Sequence, residues 1–454
     1  MRTASFTRSA LSRREFLRRS ALSLGAVALA GCAVPAAAPA GGDQPAAEGE
    51  AAPAGEVTTI TFLAQGGADS EKRYLPIQEM YADVDPSVAV EFIWHPGGAI
   101  EIQQKLLTMI AGGEAPDVYW THTYINPGLA KRGVPLALDD LFASDSSWSP
   151  DDYFPASIAD FQVDGKLYAA PRETTSTVMI YNKTLIEESG APLPSADWTW
   201  DDFVEIARAT TSGEGANKIY GVANFNANAN TFVRVWQKGG DVLNEDRTQY
   251  TMNSEEGVAA VQSIADLINE GLHVTGAELA GRPYAEVFLT GTIAMFPQFS
   301  VFTAILPAEF EFDIAPMPRN ADEQMTTRVA SAGHSIYSGT QKSEAAWSWL
   351  RMIESEQAFT HLAQTGLSVP AHKAVAESPA HLNEDQPPAS KQVFLDGLTY
   401  GRPEPVAGDW IGVHREITTA LEGVFGVSGT DPKTALDSIA DRVNELIASE
   451  PTAA

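Results

Sequence analysis

Thr59-Ile60-Thr61-Phe62, closed by Gln65-Gly66-Gly67; Val88-Ala89-Val90-Glu91-Phe92-Ile93-Trp94, closed by Pro96-Gly97-Gly98; and Asp117-Val118-Tyr119-Trp120 decide the fold class. The first alternates polar and apolar residues, the period of a strand. The second and third read as strands too. A helical stretch around Tyr74 to Tyr81 separates the first two. Ile102, Leu106, Met109 and Ile110 then share one helical face, and Gly112-Gly113 ends that helix. This β-α-β-α-β order predicts an α/β fold with a largely parallel sheet.

Downstream, helix faces recur. Val258, Val261, Ala265 and Ile268 form one; Ala346, Trp347, Leu350 and Ile353 another; Leu436, Ile439, Val443, Leu446 and Ile447 the last. Asp431-Pro432 fits a helix start, because Pro suits the first turn. No repeat of solenoid period occurs.

Upstream, the texture differs. Arg2, Arg8, Arg13, Arg14, Arg18 and Arg19 face a single acid, Glu15, and an apolar run follows from Ala21 to Ala30. That run is shorter than the roughly 20 residues a membrane span takes. Ser12-Arg13-Arg14-Glu15-Phe16-Leu17 resembles a twin-arginine export motif. Leu29-Ala30-Gly31-Cys32 resembles a bacterial lipobox, in which Cys32 becomes the lipid-carrying N-terminus. Residues 1–31 are therefore read as an export signal. Residues 32–56, nearly all Ala, Pro, Gly and Glu after Cys32, have too few large apolar side chains for a core and read as a disordered stalk.

The whole chain of 454 residues carries 59 Asp+Glu against 30 Lys+Arg, a net charge of −29. Removing residues 1–31 makes it −34. Such a balance argues against nucleic acid, which needs a basic footprint, and against adhesion to anionic lipid. A tether on Cys32 would hold the body at the membrane, since two or more acyl chains anchor stably. With one cysteine, an intrachain disulfide framework and a Cys-rich metal site are excluded.

Catalytic patterns are missing from the sequence. None of the eight histidines stands in a His-Glu-x-x-His arrangement. Gly333-His334-Ser335 lacks the second glycine of a nucleophile elbow. Gly213-Glu214-Gly215 lacks the third glycine of a dinucleotide fingerprint. Asp201-Asp202 after Thr199, and Asp151-Asp152 after Ser149-Pro150, sit where acids suit a helix start. No catalytic residue, metal site or cofactor is expected.

Several segments together carry a resemblance. Ala111-Gly112-Gly113-Glu114-Ala115-Pro116-Asp117-Val118, Asp164-Gly165-Lys166-Leu167-Tyr168-Ala169-Ala170-Pro171 and Ile180-Tyr181-Asn182-Lys183-Thr184-Leu185 are three of them. Glu188-Ser189-Gly190 with Trp198-Thr199-Trp200-Asp201-Asp202-Phe203, Gly291-Thr292-Ile293-Ala294-Met295, and Ser343-Glu344-Ala345-Ala346-Trp347-Ser348-Trp349-Leu350 continue the series. In this order they resemble the maltose-binding-protein-like family of extracellular sugar-binding proteins that serve ATP-binding-cassette importers. One departure is Phe296-Pro297-Gln298-Phe299-Ser300-Val301, where the family has a Gly-rich turn with a tryptophan.

The resemblance implies two α/β lobes, each a mostly parallel sheet flanked by helices, joined by several chain crossings with ligand held between them. Crossings are expected near Arg172 to Ser176, Met295 to Phe299 and Ala330 to Ser335. Residues 57–172 plus 297–331 would form one lobe and 173–296 plus 332–395 the other. Residues 396–454 would be C-terminal helices packing across both. It further implies a monomer outside the cytoplasm, lipid-anchored to the outer face of the cell membrane or in the periplasm. Its partners would be a sugar and an ABC permease with its ATPase subunits, and it would perform no catalysis.

A neutral sugar offers hydroxyls, which need paired partners, and flat C–H faces, which suit aromatic rings. Open α/β sheets bind ligands beyond their strands' carboxyl ends. Site candidates by that rule are Gln65, Trp120 and His122 after strands; Arg172 and Thr174 at the first crossing; and Asn224 after the Ile219 to Ala223 strand. Trp236 is a candidate stacking platform. Gln298 and Phe299 fall at the second crossing and His334 at the third. Trp410 sits in the Pro/Gly-rich segment Arg402 to Gly412, which would close over the cleft. Trp198, Trp200, Trp347 and Trp349 are assigned to packing. A phosphate ligand would want several cations, yet only Arg172 and Arg402 are candidates. Glycerol phosphate, a polyamine or a peptide remain alternative ligands, and an exported carbohydrate-active enzyme with a carboxylate pair remains an alternative function.

Overall fold

The computed structural model describes residues 57–299, 308–320, 325–366, 369–426 and 429–449. The export signal, Cys32 and the stalk lie outside the described residues. In chain order the strands are β1 (Thr58–Gln65), β2 (Val88–His95), β3 (Val118–His122), the hairpin β4 (Gln162–Val163) and β5 (Lys166–Leu167), β6 (Ala170–Ser176), β7 (Val178–Asn182), β8 (Tyr220–Val222), β9 (Ile293–Gln298), β10 (Phe312–Ala315) and β11 (Val329–Ile336).

They form a five-stranded sheet ordered β2-β1-β3-β11-β6 and a four-stranded sheet ordered β10-β7-β9-β8, besides the hairpin. Among the strands of the described residues, β1 pairs in parallel with β2 and β3, and β8 with β9. β11 runs antiparallel to β3 and β6, and β7 antiparallel to β9 and β10. The sheets are thus mixed rather than largely parallel. In the first sheet the β-α-β crossovers end at β3, and β11, which returns from the second lobe, runs against both its neighbours.

Strand alternation sets the cores. Ile60, Phe62 and Ala64 of β1 face a core shared with Tyr74, Ile77, Trp349 and Leu350. Leu63 faces the other way, onto Ala99, Ile102 and Leu106 of helix Ala99–Ala111. In the second sheet Met179 and Tyr181 of β7 point into one core, and Val178 and Ile180 into another. Local signals hold where the sequence placed them. Thr199 and Asp202 form a reciprocal capping box on helix Trp200–Thr210. Ser149 accepts from Asp151 N, and Asp431 caps helix Pro432–Ser438. Asp164 (φ 51°) and Gly165 (φ 77°) make the left-handed pair of residues that a tight hairpin turn needs between β4 and β5.

The lobe boundaries differ from the expected ones. β10, placed by sequence in the first lobe, pairs with β7 in the second sheet. β11 and helices Ser343–Ile353 and Glu356–Thr365, placed largely in the second lobe, pack in the first. The chain crosses at Thr177, between β6 and β7, and again between β10 and β11. These passages bond to each other: Thr177 N donates to Arg328 O at 2.8 Å, and Thr327 Oγ1 to Thr177 O at 2.5 Å. A third passage joins them, with Arg402 N donating to Thr327 O at 2.8 Å and Val329 N to Arg402 O at 2.9 Å. Helices Trp410–Phe425, Pro432–Ser438 and Ala440–Ala448 bury Val413, Ile417, Leu436 and Val443 in the second lobe's core. Ile411 of this segment packs against the first lobe.

Candidate functional site

β3 ends on His122, and the chain turns through Tyr124 into helix Asn126–Lys131. On the second lobe, Asn224 takes a left-handed conformation (φ 61°) and donates from Nδ2 to Pro297 O at 2.9 Å. This bend turns Asn226 to Ala229 towards the first lobe. Between them lies a cavity of about 580 Å³. The first lobe contributes Ile100, His122 and Tyr124; the second, Asn226, Asn228 and Phe299; the crossing, Arg328; and the C-terminal segment, Glu404, Trp410, Ile411, His414 and Thr418.

The cavity's buried charge sits in one cluster, and Glu422 is an exposed acid in the lining. Arg328 Nε donates to Glu404 Oε1 at 2.6 Å, while Glu404 Oε2 accepts from Trp410 Nε1 at 3.1 Å and lies 2.8 Å from His414 Nε2. Arg328 and Glu404 are both buried. Burial alone would raise the Glu404 carboxyl, but Arg328, then His414 and Trp410, outweigh it and hold the group well below the usual carboxylate range. Burial, with help from Arg328, pushes His122 down to about 3, so its ring is neutral. Burial likewise pushes Tyr124 up to about 12. At the buried end of the cavity one cation and one anion cancel, and this pairing favours an uncharged occupant there.

Rings line the same cavity in sequence. His122 and Tyr124 have centroids 4.3 Å apart, Tyr124 and His414 6.1 Å, and His414 and Trp410 5.4 Å. Asn228 Nδ2 fixes the far wall through His414 O and Thr418 Oγ1, each at 2.9 Å. A row of rings beside amides and imidazoles matches C–H faces alternating with hydroxyls. Among the described residues, no group of three His, Cys, Asp or Glu is placed to hold a metal ion.

A sequence profile described as bacterial extracellular solute-binding protein matches residues 67–358. The chain belongs to this family. The diacetylchitobiose binding protein of Streptomyces coelicolor is 24% identical over 364 residues, 77% of this chain and 81% of the relative. The fold is shared with an ABC substrate-binding protein of Listeria monocytogenes solved with cycloalternan. That structure has a TM-score of 0.80 and 24% identity, over 87% of this chain and 100% of that one. A Mycobacterium tuberculosis protein solved with glycerophosphocholine matches with a TM-score of 0.75 and 22% identity, over 86% and 98%.

Within this solute-binding protein, three residues singled out by sequence, His122, Phe299 and Trp410, line the cavity. Gln65 ends β1 opposite His95, outside the lining. Trp120 is buried against Leu63 and Ile102, with its ring 6.0 Å from that of His122. Trp236 is buried in the second lobe, donates to Asp241 Oδ1 at 3.0 Å and has the Arg402 guanidinium 5.0 Å from its ring. Gln298 bonds the Tyr284 hydroxyl. Thr174 is buried beside Ser331, 3.2 Å between hydroxyls. Arg172 pairs with Glu173 and donates to the Tyr74 hydroxyl at 2.7 Å; that hydroxyl lies 2.8 Å from His334 Nε2. Arg172 and His334 thus belong to the interior of the first lobe, not to the cavity.

Tyr124, Asn228, Arg328, Glu404 and His414 were missed. Tyr124 follows β3 and was accessible to the strand-end rule. Asn228 opens its helix just after the Asn224 bend, while Arg328, Glu404 and His414 reach the cavity only through the crossing, the segment after Gly401 and helix Trp410–Phe425.

Proposed function

We propose that this solute-binding protein captures a neutral mono- or oligosaccharide between its lobes and delivers it to an ABC permease driven by ATPase subunits. The reading is carried by the cavity's combination of self-cancelling Arg328–Glu404 charge and the ring row His122, Tyr124, His414 and Trp410. The names of relatives that bind diacetylchitobiose and cycloalternan support it. The ligand contacts would come from His122, Tyr124, Asn228, Phe299, His414 and Trp410. Closure would follow because a ligand touching both lobes favours the closed state by its differential affinity. Export through the twin-arginine route, a diacylated Cys32 and the 32–56 stalk would place a monomeric binding body at the outer face of the membrane.

The test uses protein stripped of co-purified solute by unfolding and refolding, then heated with individual sugars. A ligand at 100 times its Kd stabilises by about 2.7 kcal/mol, a rise of several degrees in Tm. A selective shift with one sugar, recovered unchanged, is the expected result. Shifts with phosphodiesters or amines, and none with sugars, would overturn the assignment.

A further inference from the structure

The first lobe holds a second cavity, of about 780 Å³, that shares no lining residue with the cleft. Its walls carry the rings of Phe142, Trp148, Tyr153 and Trp347. Phe142 and Trp148 stack with centroids 3.7 Å apart, and Trp347 meets Phe142 edge-on at 4.9 Å. Carboxylates crowd the same space: Asp85, Asp145, Asp152, Glu354 and Glu356. Among the described residues, Arg351 is the one Lys or Arg in the lining, and it is committed to Asp145 at 2.6 Å.

Glu354 is the informative member. Its side chain is 2% exposed, and Oε1 lies 2.9 Å from His334 Nδ1. Oε2 is buried without a partner, as are the Tyr153 hydroxyl and His372 Nδ1. Buried polar atoms left unpaired are costly, and a partner that satisfies them is favoured. Glu404 in the cleft has its guanidinium; Glu354 has no cation in contact. Ring faces and carboxylates together attract organic ammonium groups, through the ring quadrupole and through charge.

We propose that this cavity is a second ligand site, for a small organic ammonium compound such as an aliphatic diamine, with Glu354 Oε2 as the acceptor for an ammonium N–H and Trp148 and Tyr153 as aromatic walls. It is independent of the sugar cleft. An occupant would touch Glu354, and through it the chain His334–Tyr74–Arg172 that ends on β6 next to the crossing.

The test is calorimetric titration of the purified protein with 1,4-diaminobutane, beside Glu354→Gln, Trp148→Ala and the cleft variant Tyr124→Ala. Saturable binding, weakened at least tenfold by Glu354→Gln and by Trp148→Ala but unchanged by Tyr124→Ala, is expected. Glucose serves as the neutral control and should give no heat that depends on Glu354. Trp148→Phe keeps a ring in place; it should retain binding while losing the tryptophan fluorescence change seen on titration. No saturable binding of the diamine would overturn the proposal. So would binding abolished by Tyr124→Ala alone, which assigns the amine to the cleft, or glucose binding lost in Glu354→Gln, which makes the cavity a sugar site.

Discussion

Two clusters in this protein each join an arginine, a histidine and a buried glutamate, and the two glutamates differ in charge state. In the first lobe, Arg172, Tyr74, His334 and Glu354 form a chain of bonds between 2.7 and 2.9 Å. At the cleft, Arg328, Glu404, His414 and Trp410 form another, between 2.6 and 3.1 Å. Burial raises both carboxyls. In Glu354 it wins, and the group sits well above the ordinary carboxylate range, with Arg172 a lesser opposing influence. In Glu404 it loses to Arg328 and His414. Contact makes the difference. Arg328 touches Glu404 directly, whereas Arg172 spends its guanidinium on Glu173 and Tyr74. Proximity of an arginine is not enough; the hydrogen bond to the carboxylate decides whether the charge survives burial.

The largest effect expected from breaking this contrast is in Glu404→Gln. It leaves Arg328 buried without a counter-charge, and unfolding in urea should show a loss of about 3–5 kcal/mol. A loss under about 1 kcal/mol would mean that water already screens the pair. The sign of the pH dependence follows. Glu404 has a depressed folded value, so its contribution is present above the ordinary carboxylate pKa of about 4.5 and is lost as pH falls below it. Glu404→Gln should flatten that acid limb.

Gly401→Ala perturbs the crossing that carries Arg328 while leaving the first-lobe chain alone. A Cβ there would meet Val329 Cγ1 at 2.3 Å and Gly397 O at 2.6 Å. Overpacking of this kind costs about 1–3 kcal/mol, measurable by thermal melting, and solute affinity should fall with it. Unchanged melting would show that the passages separate easily.

Next is Tyr124→Ala, which removes the half-buried ring at the centre of the cleft row. Affinity for the solute should drop about tenfold, or about 1.4 kcal/mol, with Tm nearly unchanged. Equal affinity would move the site away from Tyr124.

The smallest effect belongs to Glu354→Gln. A carboxyl with a raised folded value favours folding below the ordinary pKa of about 4.5, and that advantage is lost as pH rises through the folded value. The glutamine variant should therefore be unchanged or up to about 1 kcal/mol more stable at pH 7. Its advantage over the parent should grow with pH, opposite to the slope assigned to Glu404. A loss as large as that of Glu404→Gln would erase the distinction between the clusters.

Legibility followed the range of the interactions. β1 to β3 and their helices were readable, because alternation and helical spacing need only neighbours in sequence. The turn at Asp164-Gly165 and the caps at Thr199, Ser149 and Asp431 were readable for the same reason. His122 and Phe299 reach the cavity by ending strands, which is also a local property. Trp120 shares that kind of signal, yet packing on helix Ala99–Ala111 takes it elsewhere, and Trp236, expected as a stacking platform, lies in helix Asn228–Gln237 and bonds Asp241.

The sequence by itself determined the alternating α/β texture, the helix ends, the family and the acidic balance of the chain. Tertiary structure decided which lobe receives β10 and β11, and it brings His414 but not His334 to the cavity. It also decided which of two buried glutamates keeps its charge. The charge states depend on groups brought together from 20 to 98 residues apart, as in Glu354 with His334, Glu404 with Arg328, and Arg172 with Tyr74. A carboxylate's charge inside a protein is fixed by what touches it, and touch at that range is a property of the folded chain.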